Sequence, residues 1–255
     1  KLLLGLPLPK FSFLSSAYSL PAGSPRIVAN QAGGASNPYS ASSPLVVVSH
    51  GYLGSRFDLS PICEALALRG ITTVAPEFPE SLSASYEVGD SGLERVDIVN
   101  AILDGHVGPV GFLGHSLGTG LTLSYPLAGA PRCAVAGFRG VTEACEESAL
   151  LVVASDGDSV CPGKFIRERV EEAEKATSRV ASIEKLFFER YNHISFLSSS
   201  TNDAMVEFLS PLLPLAKTLK VPLLDFDKYA EVRDSDACQE EIVDIICKFF
   251  KSNLV

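Results

Sequence analysis

Apolar positions fall along this chain in short unbroken runs, separated by stretches with helical periodicity. Residues 44–50, Pro-Leu-Val-Val-Val-Ser-His, form a continuous apolar run of the kind found in strands buried on both faces. Residues 59–69 place Ile62, Leu66 and Leu68 at helical spacing and meet a stop at Gly70. A strand follows at 71–75, a polar loop at 79–89, and a helix at 93–103 with Val96, Val99, Ile102 and Leu103 on one face. A second apolar run at 107–113 leads into residues 119–127, which can begin a helix. Strands are predicted at 133–138, 149–154 and 182–190, with a strongly charged helix at 164–179 between the last two. An amphipathic helix at 236–251 carries Cys238, Ile242, Ile245, Ile246 and Phe249 on its apolar face, with Asp236 and Gln239 at capping-box spacing. Upstream, 11–20 and 25–31 read as an opening pair of strands around a Pro-Ala-Gly-Ser turn, before a Gly/Ser/Asn/Pro loop at 33–43. Strands alternating with helices predict an α/β fold: a doubly wound, mostly parallel sheet in a single domain spanning 1–255.

Composition narrows the function classes. A chain of 255 residues, 46% of them hydrophobic, can bury a sizeable core. The net charge of −9 argues against a nucleic-acid partner and against polybasic docking on membranes. No apolar segment is long enough to span a bilayer, since the uncharged stretch 107–131 is broken by glycines, prolines, serines and His115. Lys1 in place of methionine fits a precursor trimmed of a targeting peptide, plastid-directed or secreted; the compartment and the oligomeric state stay open. The six cysteines lack the C-x-x-C spacing of a zinc or redox site, and Cys63, Cys238 and Cys247 fall on apolar helix faces as packed free thiols.

Chemistry enters at Gly114-His115-Ser116-Leu117-Gly118. This G-x-S-x-G pattern sits between an apolar run and a segment with helical character. A serine in a sharp strand-to-helix turn is held with its hydroxyl exposed above a sheet. A serine hydroxyl is a weak nucleophile at neutral pH and needs a general base. The chain has four histidines. His115 neighbours the serine in sequence and is badly placed to reach its hydroxyl. His106 precedes the elbow strand, at the far end of the sheet. His50 ends a strand, where a structural or oxyanion role fits. His193, three residues past the last predicted strand, is the candidate base. The acid should lie between Ser116 and His193. The run 150–155 ends in a turn bearing Asp156 and Asp158; Asp158 is favoured because Gly157, Val160 and Pro162 suit a turn that aims it across the strand ends. The other aspartate is expected to be a turn-capping residue. An oxyanion hole is expected from Ser49-His50-Gly51-Tyr52-Leu53-Gly54-Ser55, with the Tyr52 and Leu117 amides as donors.

These motifs resemble the α/β-hydrolase superfamily over nearly the whole chain. Val46-Val-Val-Ser-His-Gly-Tyr-Leu-Gly-Ser-Arg-Phe-Asp58 and Glu94-Arg-Val-Asp-Ile-Val-Asn100 are similar to segments of the platelet-activating-factor acetylhydrolase, dienelactone-hydrolase-like and chlorophyllase group. The chain departs from dienelactone hydrolases in carrying Ser116 where they use cysteine, and from many chlorophyllases at Leu117. The resemblance implies a Ser116–His193–Asp158 esterase with the Tyr52 and Leu117 amides as oxyanion donors and with no metal or organic cofactor. The short interval from Ser116 to Asp158 leaves no room for a large inserted lid, so loops 55–58, 79–92 and 139–148 should govern access. Apolar segments at 194–197, 205–215 and 221–226 suggest a helix packed on the sheet, or the lining of an acyl or prenyl pocket. The expected substrate is a small hydrophobic carboxylic ester. A chlorophyllase-like action on a phytyl ester is the narrower reading, and a slow-turnover ligand receptor on the same fold the reading from another class.

Overall fold

The strands are β1 (Leu45–Ser49), β2 (Thr72–Val74), β3 (Val110–His115), β4 (Arg132–Val135), β5 (Ala149–Ser155) and β6 (Ser182–Phe188). The computed structural model describes residues 41–52, 54–78, 81, 94–176, 180–201, 203 and 234–255. The expected strands at 11–20 and 25–31, most of the loops at 33–43 and 79–89, and the apolar segments 205–215 and 221–226 lie outside those residues. The six strands pair in parallel in the order β2-β1-β3-β4-β5-β6. The helices are α1 (Ser60–Ala67), α2 (Arg95–Leu103), α3 (Gly118–Ser124), α4 (Gly163–Ala176) and α5 (Ser235–Leu254).

The four central strands are buried at nearly every position because both faces are covered, whereas the edge strands β2, Thr-Thr-Val, and β6, Ser-Ile-Glu-Lys-Leu-Phe-Phe, are only partly buried. Val46, Val48, Leu113, Val135, Leu151 and Val153 point to one side, where they meet α1 and α5 through Ile62, Leu66, Ile242 and Ile246. Val47 and Phe112 face the other side against Val99 of α2. Leu150, Val152 and Ala154 pack there on Ile166 and Val170 of α4. This is the doubly wound arrangement expected from the alternating pattern. Among the described residues no helix is long and apolar enough to cross a membrane. All six cysteines are free thiols, and Cys238 and Cys247 are buried on α5 as expected.

Three local expectations are corrected. Leu68 is 86% exposed, because α1 ends at Ala67 and the chain turns away through Gly70 at φ 78°. Strand β4 stops at Val135, not 138, since Ala136 takes φ 51° and breaks the extended run. The capping box expected at Asp236 and Gln239 is not formed: the helix cap is Asp234, and Gln239 instead donates its side-chain amide to the Phe196 carbonyl at 2.7 Å. A capping box does form at α2, between Glu94 and Asp97.

One buried cation organises the far end of the sheet. Arg132, fully buried at the start of β4, donates to the carbonyls of Thr122 at 2.6 Å and Tyr125 at 3.0 Å, and to those of Leu127 and Ala144. The first two are carbonyls at the C-terminal end of α3, the negative end of its dipole. Arg132→Met should therefore orphan several buried acceptors at about 1–3 kcal/mol each, partly relieved by water, for a net loss of about 3–5 kcal/mol in urea unfolding.

Candidate active site

Sheet order decides where the site forms. β1 lies between β2 and β3, so the connections leaving β1 and β3 diverge and open a crevice at their C-terminal ends. His50-Gly51-Tyr52 leaves β1 there, and Ser116 leaves β3. The later strand ends bring Asp158 after β5 and His193 after β6.

The turn at Ser116 is strained, with φ 52°, a left-handed backbone that non-glycine residues rarely adopt. Its N–H donates to the Val135 carbonyl at 2.9 Å, and its carbonyl accepts the Thr119 hydroxyl at 2.7 Å. Both flanking glycines are sterically required. A Cβ on Gly114 would lie 2.4 Å from the Thr122 hydroxyl oxygen, and one on Gly118 would lie 2.1 Å from the Ser49 carbonyl oxygen. Gly51 passes so close that a Cβ there would sit 3.2 Å from Cβ of Ser116.

The Ser116 hydroxyl oxygen lies 2.8 Å from His193 Nε2, and His193 Nδ1 lies 2.8 Å from Asp158 Oδ2. A carboxylate can only accept, so Nδ1 carries the proton and Nε2 is left to take one from the serine. Asp158 is 1% exposed; its other oxygen accepts the Val160 and Cys161 N–H groups, each at 2.8 Å. The carboxylate is thereby aimed by its own turn. Asp156, in contrast, points outward into an ion pair with Arg167 on α4. The turn-capping role expected of the unused aspartate thus falls to Asp158 itself.

The other histidines at the crevice occupy structural positions. His50 donates from Nδ1 to the Gly51 carbonyl at 2.8 Å and accepts the Phe78 N–H at Nε2, 2.9 Å away. Burial holds its pKa down, to about 4, so the ring stays neutral and pins the turn after β1. His115 is buried, and its Nε2–H donates to the main-chain carbonyl of His193 at 3.0 Å, with the two rings 4.8 Å apart. Burial, and then the nearby His193, lower its pKa to about 3. The sequence held no signal for this contact. Asn192 carried one, as an Asx residue before a serine: its Oδ1 accepts the N–H groups of Ile194 and Ser195 and the Ser195 hydroxyl, which shapes the turn bearing His193. His115→Phe keeps the ring but orphans the His193 carbonyl; it should lower kcat about tenfold with KM nearly unchanged, read by steady-state kinetics.

Tyr52 and Leu117 are partly exposed at the crevice, and among the described residues neither main-chain N–H donates to a protein acceptor. Among those residues no group of three or more His, Cys, Asp or Glu side chains is gathered as a metal site would require.

A parallel, doubly wound sheet that presents a serine on a strained strand-to-helix turn, with histidine and aspartate delivered by later strand ends, defines the α/β-hydrolase fold. Among solved structures, the chain is similar to a protein of unknown function from Agrobacterium tumefaciens, provisionally an alpha/beta hydrolase, with 14% identity over 86% of this chain and 90% of that one at a TM-score of 0.50. It is also similar to the esterase Pf2001 of Pyrococcus furiosus, with 14% identity over 84% of this chain and 85% of that one, again at a TM-score of 0.50. At such identities the likeness shows the fold alone. No family model and no curated protein sequence matches the chain.

Proposed function

We propose that this protein is a serine hydrolase that cleaves hydrophobic carboxylic esters by acyl transfer. The observation that carries the proposal is the continuous hydrogen-bonded relay from the Ser116 hydroxyl through His193 to Asp158, 2.8 Å at each step. Ser116 Oγ attacks the ester carbonyl while His193 Nε2 takes its proton. Asp158 fixes the imidazole tautomer and stabilises the imidazolium as it forms. The Tyr52 and Leu117 amides, without protein acceptors among the described residues, receive the oxyanion. His193 then hands its proton to the leaving alcohol, and water releases the acyl group by the same route. The esterase named among the similar structures supports this reaction class.

The half-exposed side chains of Tyr52, on the turn after β1, and Leu117, next to Ser116 in the chain, offer apolar ground for either half of the ester. The narrower phytyl-ester reading draws on the apolar stretches 205–215 and 221–226. A panel of p-nitrophenyl esters of increasing chain length, with fluorophosphonate labelling of wild type and Ser116→Ala, tests the proposal. Turnover with a preference for apolar acyl chains, and labelling lost in the variant, are expected. No turnover at any length and no labelling would sink it, and an unlabelled protein that still binds an apolar ligand would point to a receptor. Release of phytol from chlorophyll decides the narrower reading.

A further inference from the structure

We propose that Asp58 is a positioning residue that fastens the turn carrying the Tyr52 amide to the segment following His193, and that it does so with its carboxyl group protonated. The inference rests on the acyl-transfer reading above.

Asp58 touches both arms of the site. Its Oδ1 accepts the Ser55 N–H at 2.9 Å and the Ser55 hydroxyl at 3.0 Å, closing the turn that begins at Gly51. Within that turn the Gly54 N–H donates to the Gly51 carbonyl at 3.2 Å. On the other side, the main-chain carbonyl of Asp58 accepts the Ser198 N–H at 2.7 Å, and the neighbouring Phe57 carbonyl accepts the Ser198 hydroxyl at 3.3 Å. Ser198 lies five residues past His193. The oxyanion turn and the histidine segment therefore share one anchor.

The second carboxyl oxygen makes the protonation argument. Asp58 is 1% exposed, and Oδ2 has no hydrogen-bond partner among the described residues. A Cβ on Gly54 would lie 2.3 Å from it, so Oδ2 rests against the main chain of the turn. Asp58 lines a small cavity there with Val48, His50 and Ala75. The charged and titratable neighbours offer it no compensation. Glu77, beyond β2, repels a second negative charge there. Arg56, on the same turn, is exposed and committed to Glu77, 3.6 Å away. His50, beyond β1, is neutral with both ring nitrogens bonded, and Arg95 directs a guanidinium nitrogen to the His50 carbonyl at 2.9 Å. Leu59 and Ser198 add no charge. Burial, opposed by the Ser55 hydrogen bonds and assisted by Glu77, accordingly pushes the Asp58 pKa up to about 7. When the proton leaves Oδ2 for solvent, the carboxylate is left buried beside a second acid. Its relief is to swing outward, which breaks both Ser55 bonds and frees the turn that aims Tyr52.

The sign for folding follows. The unfolded chain ionises Asp58 in the ordinary carboxylate range, whereas the folded protein keeps the proton to about pH 7. Folding then takes up a proton across that window, so this residue's contribution falls as pH rises through it and levels off above it.

The test compares wild type with Asp58→Asn, whose neutral amide oxygen can accept from Ser55 but cannot ionise. With p-nitrophenyl butyrate, wild-type kcat should fall about tenfold between pH 6.5 and 8.5 at nearly constant KM. Asp58→Asn should match wild type at pH 6.5 and lose this alkaline fall, while Asp58→Ala should be slow throughout. In urea unfolding, the wild-type midpoint should drop relative to Asp58→Asn between pH 5 and 8. Parallel pH profiles for wild type and Asp58→Asn, parallel unfolding midpoints, or an Asn variant that does not fold would each overturn the inference. A wild type that neither turns over ester nor takes the fluorophosphonate label overturns the acyl-transfer reading and the positioning role; the unfolding comparison then reports separately on the buried proton.

Discussion

Replacing Ser116 with alanine is expected to lower kcat for ester hydrolysis about 10⁶-fold, and removing His193 from the same chain should lower it no further. In the proposed acyl transfer the two side chains pass one proton across a 2.8 Å contact, so neither would have a catalytic task without the other. A hydroxyl that keeps its proton is a poor nucleophile, and an imidazole facing a methyl group has nothing to deprotonate. On the proposed mechanism, what would survive is the slow reaction of water at a site still able to bind the ester and its oxyanion. Steady-state turnover of the single and double variants, with circular dichroism to verify folding, measures the effect. Losses that multiply in the double variant would show two independent contributions and would count against the shared-proton mechanism.

Asp158→Asn should cost about 10⁴-fold in kcat, while Asp156→Asn should stay within about twofold of wild type. The amide that Asp158→Asn introduces can offer His193 a donor where the carboxylate offered an acceptor. It therefore favours the tautomer with its proton on Nε2, which cannot accept from Ser116. The substitution also removes the negative charge that stabilises the imidazolium. Because an oxygen at Oδ1 of this position still accepts the Val160 and Cys161 amides, the turn should survive and the loss should fall on chemistry. Asp156 pairs its charge with Arg167 at the surface, where an ion pair contributes little. A larger loss at 156 than at 158 would reverse the assignment.

Much of this architecture was readable from the order of residues. Strands buried on both faces need apolar side chains at consecutive positions, and the runs at 45–49, 110–115 and 149–155 appear in the chain as such blocks. Ser116 and Asp158 stand shortly after such blocks and His193 after the partly exposed edge strand 182–188, so parallel pairing gathers the three at one edge. Features decided by tertiary fit were hidden. Leu68 carries the right spacing for a core position, yet its helix ends one residue too soon. Ala136 gives no hint of a left-handed backbone. The bond from His115 to His193 spans 78 residues and depends on how the β6 exit folds back over β3. Asp58 ended a loop, 55–58, expected only to govern access, and its burial is what marks it as an acid held away from solvent.

The contact between Gly118 and the Ser49 carbonyl bears on how such a protein can diversify. A side chain of any size at residue 118 would collide with the main chain of β1. Ser116 and the turn that faces it are thus fused into one rigid anvil with no hinge between them. Substrate entry must be accommodated by whatever surrounds that anvil. Mutational drift in the encircling loops can then retune substrate preference while the reacting groups stay stationary. The two glycines of the elbow admit no side chain without a collision, and this immobility leaves their periphery free to vary.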